Sequence, residues 1–166
     1  SHADHAGHDH DSPESKEEVK KYLLENKKIQ AVEKRRIAIS DALISSSKID
    51  VPEILIDSET KRTEAQFNDD INRMGVKIED YLKHAKKTIE EIRSEWRPHA
   101  EKKAKLQLIL NEIVKLEKIE VDVKEIEEEV KHILAHYKDA DRERAFAYAE
   151  TVLTNEKVYQ FLEGIK

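Results

Sequence analysis

Apolar residues recur at three- and four-residue spacing along most of the chain, the signature of helices that each bury one stripe. The pattern begins at about residue 15, where Ser15 followed by Glu18 reads as a capping box. Val19, Tyr22 and Leu23 open an apolar patch that Ile29, Val32, Ile39 and Leu43 continue, with Ile37 and Ile44 widening it toward the end. A polar hinge follows at Ser45, Ser46, Ser47 and Lys48. A second helix is predicted over residues 52–73: Asp50 stands where an N-cap belongs, Pro52 can open the helix, and Glu53 places a carboxylate in the first turn. Ile54, Leu55 and Ile56 then give way to a polar middle and to Phe67, Ile71 and Met74 before Gly75 ends the helix. That distribution suits a protruding arm better than a core helix, with Ile49, Val51, Ile54 and Leu55 as its anchor in the body.

Past Gly75, the residues Ile78, Tyr81, Leu82, Ala85, Ile89, Ile92 and Trp96 keep amphipathic spacing, and Thr88 can cap a restart. Pro98 interrupts this pattern or begins the next segment, where Ala100, Ala104, Leu106, Leu108, Ile109, Leu110, Ile113, Val114 and Leu116 are apolar over most of the circumference. This helix is expected to be the most buried. Glu120, Val121 and Asp122 form a boundary, and Ile126, Val130, Ile133, Leu134 and Tyr137 share one face of a further helix. A turn at residues 138–141 leads to two last helices, one carrying Ala145, Phe146, Ala149, Val152 and Leu153, the other beginning near Asn155 with Val158, Phe161, Leu162 and Ile165. No strand pattern occurs, so the class is all-α.

Composition strengthens this reading: 40% of the residues are charged and 5% aromatic, with three Gly and three Pro. Long helices with large solvated faces fit such usage; a sandwich or barrel does not. The formal net charge is -6, and Asp4, Asp9, Asp11 and Glu14 supply four of those charges within a segment free of Lys and Arg. Elsewhere Lys and Glu are interspersed, with no basic stripe to track a phosphate backbone, so no nucleic-acid partner is expected. The chain has no cysteine, no run of about eighteen apolar residues and a polar start, from which neither disulfides nor a membrane partner is expected.

Candidate chemistry is sparse. Residues 1–14 read as a disordered His/Asp-rich linker or appended remnant, set apart from a helical domain over 15–166. His2, His5, His8 and His10 could hold zinc or nickel adventitiously, since neutral imidazole is a good ligand for both. No other cofactor is expected. His132 and His136, four apart and preceded by Glu128 and Glu129, read as a solvated helix face, and His84 and His99 have no companion at ligand spacing. The Ser and Thr residues sit at caps and hinges, no Gly-rich phosphate loop exists, and the Glu runs read as solvated faces. The chain is therefore expected to bind rather than catalyse.

Three stretches, IDVPEILIDSE (49–59), GVKIEDYLKHAKKTIEEIRSEWRPHAEKKAKLQLILNEIVKLEKIEV (75–121) and NEKVYQFLEGI (155–165), together resemble the C-terminal domain of trigger factor, the ribosome-associated bacterial chaperone. The resemblance covers about residues 17–166. It implies a helical body with two protruding arms that form a cradle for nascent or unfolded polypeptide, a fold shared with SurA-type chaperones. It also implies an ATP-independent, cytoplasmic role, with ribosome docking and prolyl isomerisation assigned to other domains of the family protein and weak self-association through the apolar walls. By the same resemblance the client contacts fall at Phe67, Ile71 and Met74 on the first arm, and at Ile133, Tyr137 and Phe146 near the turn of the second. A metal-binding module built on the N-terminal histidines, and a helical scaffold for one dedicated protein partner, are the alternatives.

Overall fold

A computed structural model describes residues 13–137 and 139–165, which fold into six helices: α1 Pro13–Ser46, α2 Glu53–Arg73, α3 Ile78–Ala85, α4 Ile89–Glu117, α5 Val123–His136 and α6 Arg142–Gly164. No strand occurs among the described residues. The chain divides into two compact units, residues 1–40 and 41–166. In the first, α1 starts two residues ahead of the expected Ser15 cap, because Pro13 can open a helix where no amide partner is needed. Val19, Tyr22, Leu23, Ile29, Val32 and Ile37 are all exposed there.

The second unit is built from two antiparallel helix pairs, α2 with α4 and α5 with α6, while α4 also packs on α6 and α3 on α2. The last turn of α1 is held by its own hydroxyls, Ser46 Oγ donating to the Ala42 carbonyl at 2.7 Å, and by Lys105 Nζ donating to the Ile44 carbonyl at 2.8 Å. Asp50 is not the cap of α2. Pro52 takes that position with an extended ψ of 135°, and its carbonyl accepts from Leu55 N at 2.9 Å without any side-chain cap. Ile54, expected to anchor the helix, is 75% exposed, whereas Ile56 is buried.

Helix α2 is paired with α4. Its buried Ile56 and Ile71 share the seam with Ile92, Ala100 and Ala104 of α4. The polar middle of α2 adds ion pairs across that seam, from Glu64 to Arg93 at 2.7 Å and from Glu53 to Arg97. A sequence of charges thus served as a contact edge, because α4 supplies the opposite sign.

Three helices end in the same way. Gly75, at φ 71°, lets Val76 N reach the Ile71 carbonyl at 3.2 Å and Gly75 N the Asn72 carbonyl at 2.9 Å, the paired bonds of a left-handed C-terminal cap. Lys86 and Lys118 occupy the equivalent left-handed positions at φ 53° and 52°, with Lys87 N on the Leu82 carbonyl and Ile119 N on the Val114 carbonyl. Helix α4 restarts at Thr88 through a full capping box: Glu91 N donates to Thr88 Oγ1 at 3.2 Å, and Thr88 N to Glu91 Oε2 at 2.7 Å.

Two expected breaks are absent. Helix α4 runs through Pro98, since Ile92 before it and Ala100 and Ala104 after it lie at four-residue steps on one buried face, each aliphatic burial outweighing part of the lost hydrogen bond. Helix α6 likewise runs through Asn155, whose side chain bonds to α4 rather than capping a new helix, and which precedes the fully buried Val158. The α5/α6 core is Ile126 and Val130 against the small Ala145 and Ala149, with Val121, Ile133, Leu134, Phe146 and Leu153 around it.

Candidate functional site

The three helices α2, α4 and α6 leave an open groove where α6 passes the α2/α4 pair. Each helix contributes a stripe at helical spacing: Glu59, Arg62, Gln66 and Asp70 on α2, Trp96, Lys103, Gln107 and Asn111 on α4, Tyr148, Thr151, Asn155 and Tyr159 on α6. The groove holds two connected hollows of about 490 and 590 Å³ that share Glu59, Arg62 and Lys103. A smaller one of about 250 Å³ runs on between Leu55, Ser58 and Leu108. All are open to solvent, with no enclosed chamber of the kind that shelters a reaction.

Aromatic side chains flank this groove on both sides. Phe67 packs edge-on against Trp96, with ring centroids 5.2 Å apart, and against Tyr81 at 5.1 Å. Tyr148 faces them from α6 and is 63% exposed. Across the floor, Asn155 Nδ2 donates to Gln107 Oε1 at 3.0 Å, and Gln107 Nε2 donates to Asn155 Oδ1 at 3.3 Å and to Asn111 Oδ1 at 2.8 Å. Glu59 and Arg62 neutralise one another at 2.8 Å.

Beside the groove, the Arg93 guanidinium makes two hydrogen bonds to Glu64 and holds its carboxyl below the ordinary carboxylate range, while Glu64 raises Arg93 in turn. Glu91 is lowered by the Thr88 amide and hydroxyl of its capping box. Lys87 is raised by Glu95, which accepts from it at 2.6 and 2.8 Å. These shifts all come from surface structural contacts, an interhelix pair, a helix cap and a turn-to-helix pair, and none sits on a nucleophile or a lone base.

The six residues expected to meet client are placed unevenly. Met74 and Tyr137 are exposed, at 73% and 64%, and Phe67 is half-buried in the aromatic cluster. Ile71 is buried in the α2/α4 seam, and Ile133 and Phe146 pack against the α5/α6 core. Met74, at the α2 cap, and Tyr137, at the α5 cap, thus belong to separate hairpin ends. The His136 ring lies 2.9 Å from the carbonyl of His132, against its own helix, and no cluster of three metal-ligating side chains exists among the described residues. His2, His5, His8 and His10 lie outside the described residues. No described helix is long and apolar enough to cross a membrane.

Sequence reading overlooked Tyr148, Thr151, Asn155 and Tyr159 as one surface. Their steps of three, four and four residues are legible, but a helix break placed at Asn155 cut the stripe in two.

Residues 13–162 match the family described as bacterial trigger factor protein C-terminus. Among curated proteins, the trigger factor of Agathobacter rectalis is 32% identical over 75% of this chain and 28% of its own length. That of Halothermothrix orenii is 36% identical over 72% and 28%, and that of Pelotomaculum thermopropionicum 28% identical over 84% and 35%. The chain thus spans about a third or less of the length of the relatives it matches. No solved structure matches it.

Proposed function

The chain belongs to the family of bacterial trigger factor C-termini, and on that premise we propose that it is an ATP-independent chaperone domain that binds unfolded or nascent polypeptide in the groove between its helix pairs. The observation that carries this reading is the pair of aromatic walls, Phe67 and Trp96 on one side and Tyr148 on the other, facing across an open groove. Among the described residues twelve are buried in the core, while eighteen large apolar side chains stay exposed. A scaffold that retains so much accessible apolar surface suits weak association with many unrelated segments. Met74 and Tyr137 add exposed apolar surface at the two hairpin ends, whereas Ile71, Ile133 and Phe146 serve the packing of the helix pairs. In this reading the chain acts in the cytoplasm on clients that have not folded, lowering the free concentration of aggregation-prone species.

Light scattering of a chemically denatured globular protein diluted into buffer tests this. A several-fold molar excess of the folded chain is expected to slow and reduce aggregation without nucleotide. Unchanged aggregation, with circular dichroism showing the chain still helical, overturns the reading.

A further inference from the structure

The floor of the groove differs in chemistry from its walls. Gln107, Asn111 and Asn155 are primary amides, and each offers two N–H donors and a carbonyl with two lone pairs. Gln107 spends both donors, on Asn111 and Asn155, and accepts from Asn155 in return. Gln107 is therefore fixed, and it orients its two neighbours. The Nδ2 donors of Asn111 enter no bond among the described residues, and Asn155 donates once. Donors and acceptors are thus left over together at one place, in a groove whose lining also holds the Glu59–Arg62 ion pair and Lys103.

A cluster of neutral amides that both donates and accepts is complementary to a neutral group that does the same. The peptide group is that ligand, and a primary amide reproduces its hydrogen-bonding pattern. We propose that Asn111 and Asn155, braced by Gln107, bind the main chain of an extended polypeptide through its peptide groups, independent of its sequence. The aromatic walls then take alternate side chains. This rests on the reading that the groove holds unfolded polypeptide, and adds which part of that polypeptide the floor recognises.

Fluorescence anisotropy with a labelled, unstructured peptide of alternating apolar and small residues tests it, alongside the same peptide N-methylated at alternate central positions. N-methylation removes donors while keeping the side chains. The methylated peptide is expected to bind the native chain about 3- to 10-fold more weakly, the range of one or two net hydrogen bonds. Asn111→Leu, a change of similar shape at an exposed position, is expected to weaken the parent peptide comparably, and methylation is expected to add little further loss in that variant. Equal binding of both peptides to the native chain, with Tyr148→Ala weakening both, overturns the proposal and leaves the chaperone reading standing. If neither peptide binds and denatured-protein aggregation is also unchanged, both are overturned.

Discussion

Lys118, like Lys86, holds a left-handed backbone that a residue with a Cβ rarely adopts. It holds φ 52° to close α4, a conformation that glycine adopts freely and that costs a residue with a Cβ about 1 kcal/mol. Lys118→Gly is therefore expected to stabilise the chain by up to about 1 kcal/mol, raising the calorimetric Tm by about 2–4 °C. Glu64 gives a second expectation. Its carboxyl is lowered by Arg93, so the folded chain releases that proton more readily than the unfolded one. The stabilisation is complete above the ordinary glutamate value of about 4.3 and is lost as pH falls through the lowered folded value. Native chain and Glu64→Gln should differ in Tm at neutral pH and converge in strong acid; a constant difference would assign the effect to packing. Of these details, Thr88 was legible as a cap in sequence, and its partner Glu91 lies only three residues on. The Glu64–Arg93 pair was not, because its partners lie 29 residues apart and only the fold brings them together.

At the scale of helices, Pro98 marks where local rules and tertiary packing disagree. A proline inside a helix forfeits one backbone bond and crowds the preceding turn, at about 3 kcal/mol, yet α4 continues because its buried stripe spans the site. Pro98→Ala is expected to leave the fold unchanged and to stabilise it by about 1–3 kcal/mol in urea denaturation, part of the gain being offset by the freer unfolded chain. A loss of stability would mean that the proline shapes α4 in a way its neighbours require. The breaks at residues 75, 88 and 120–122 were legible from glycine, cap and spacing, whereas those expected at Pro98 and Asn155 were overruled by Ala100, Ala104 and Val158. The periodicity of α2 was read correctly. Its partner could not be, since a polar face looks the same whether it meets water or an oppositely charged helix.

For the molecule as a whole, the expected outcome is that client affinity and stability come apart. Tyr148 is 63% exposed, so Tyr148→Ala should change stability by no more than about 0.5 kcal/mol. It should weaken binding of an unfolded peptide about 3- to 10-fold, as truncation of a contacting aromatic does. Val158→Ala, at the opposite extreme of burial, should cost about 2 kcal/mol of stability and leave peptide affinity per folded molecule unchanged. The all-helical class was readable from spacing, and the family from resemblance. The groove was not, because its walls come from three helices distant in sequence and become a surface only once α6 is continuous.

The twelve buried residues contain no polar group among the described residues, and the polar contacts lie at the edges. An interior of this kind imposes a requirement of volume rather than of identity, since aliphatic side chains exchange for one another at little cost if total size is kept. Such a scaffold has wide latitude for neutral drift. Relatives that share only 28–36% of their residues with this chain can keep the same helical framework while surface side chains change.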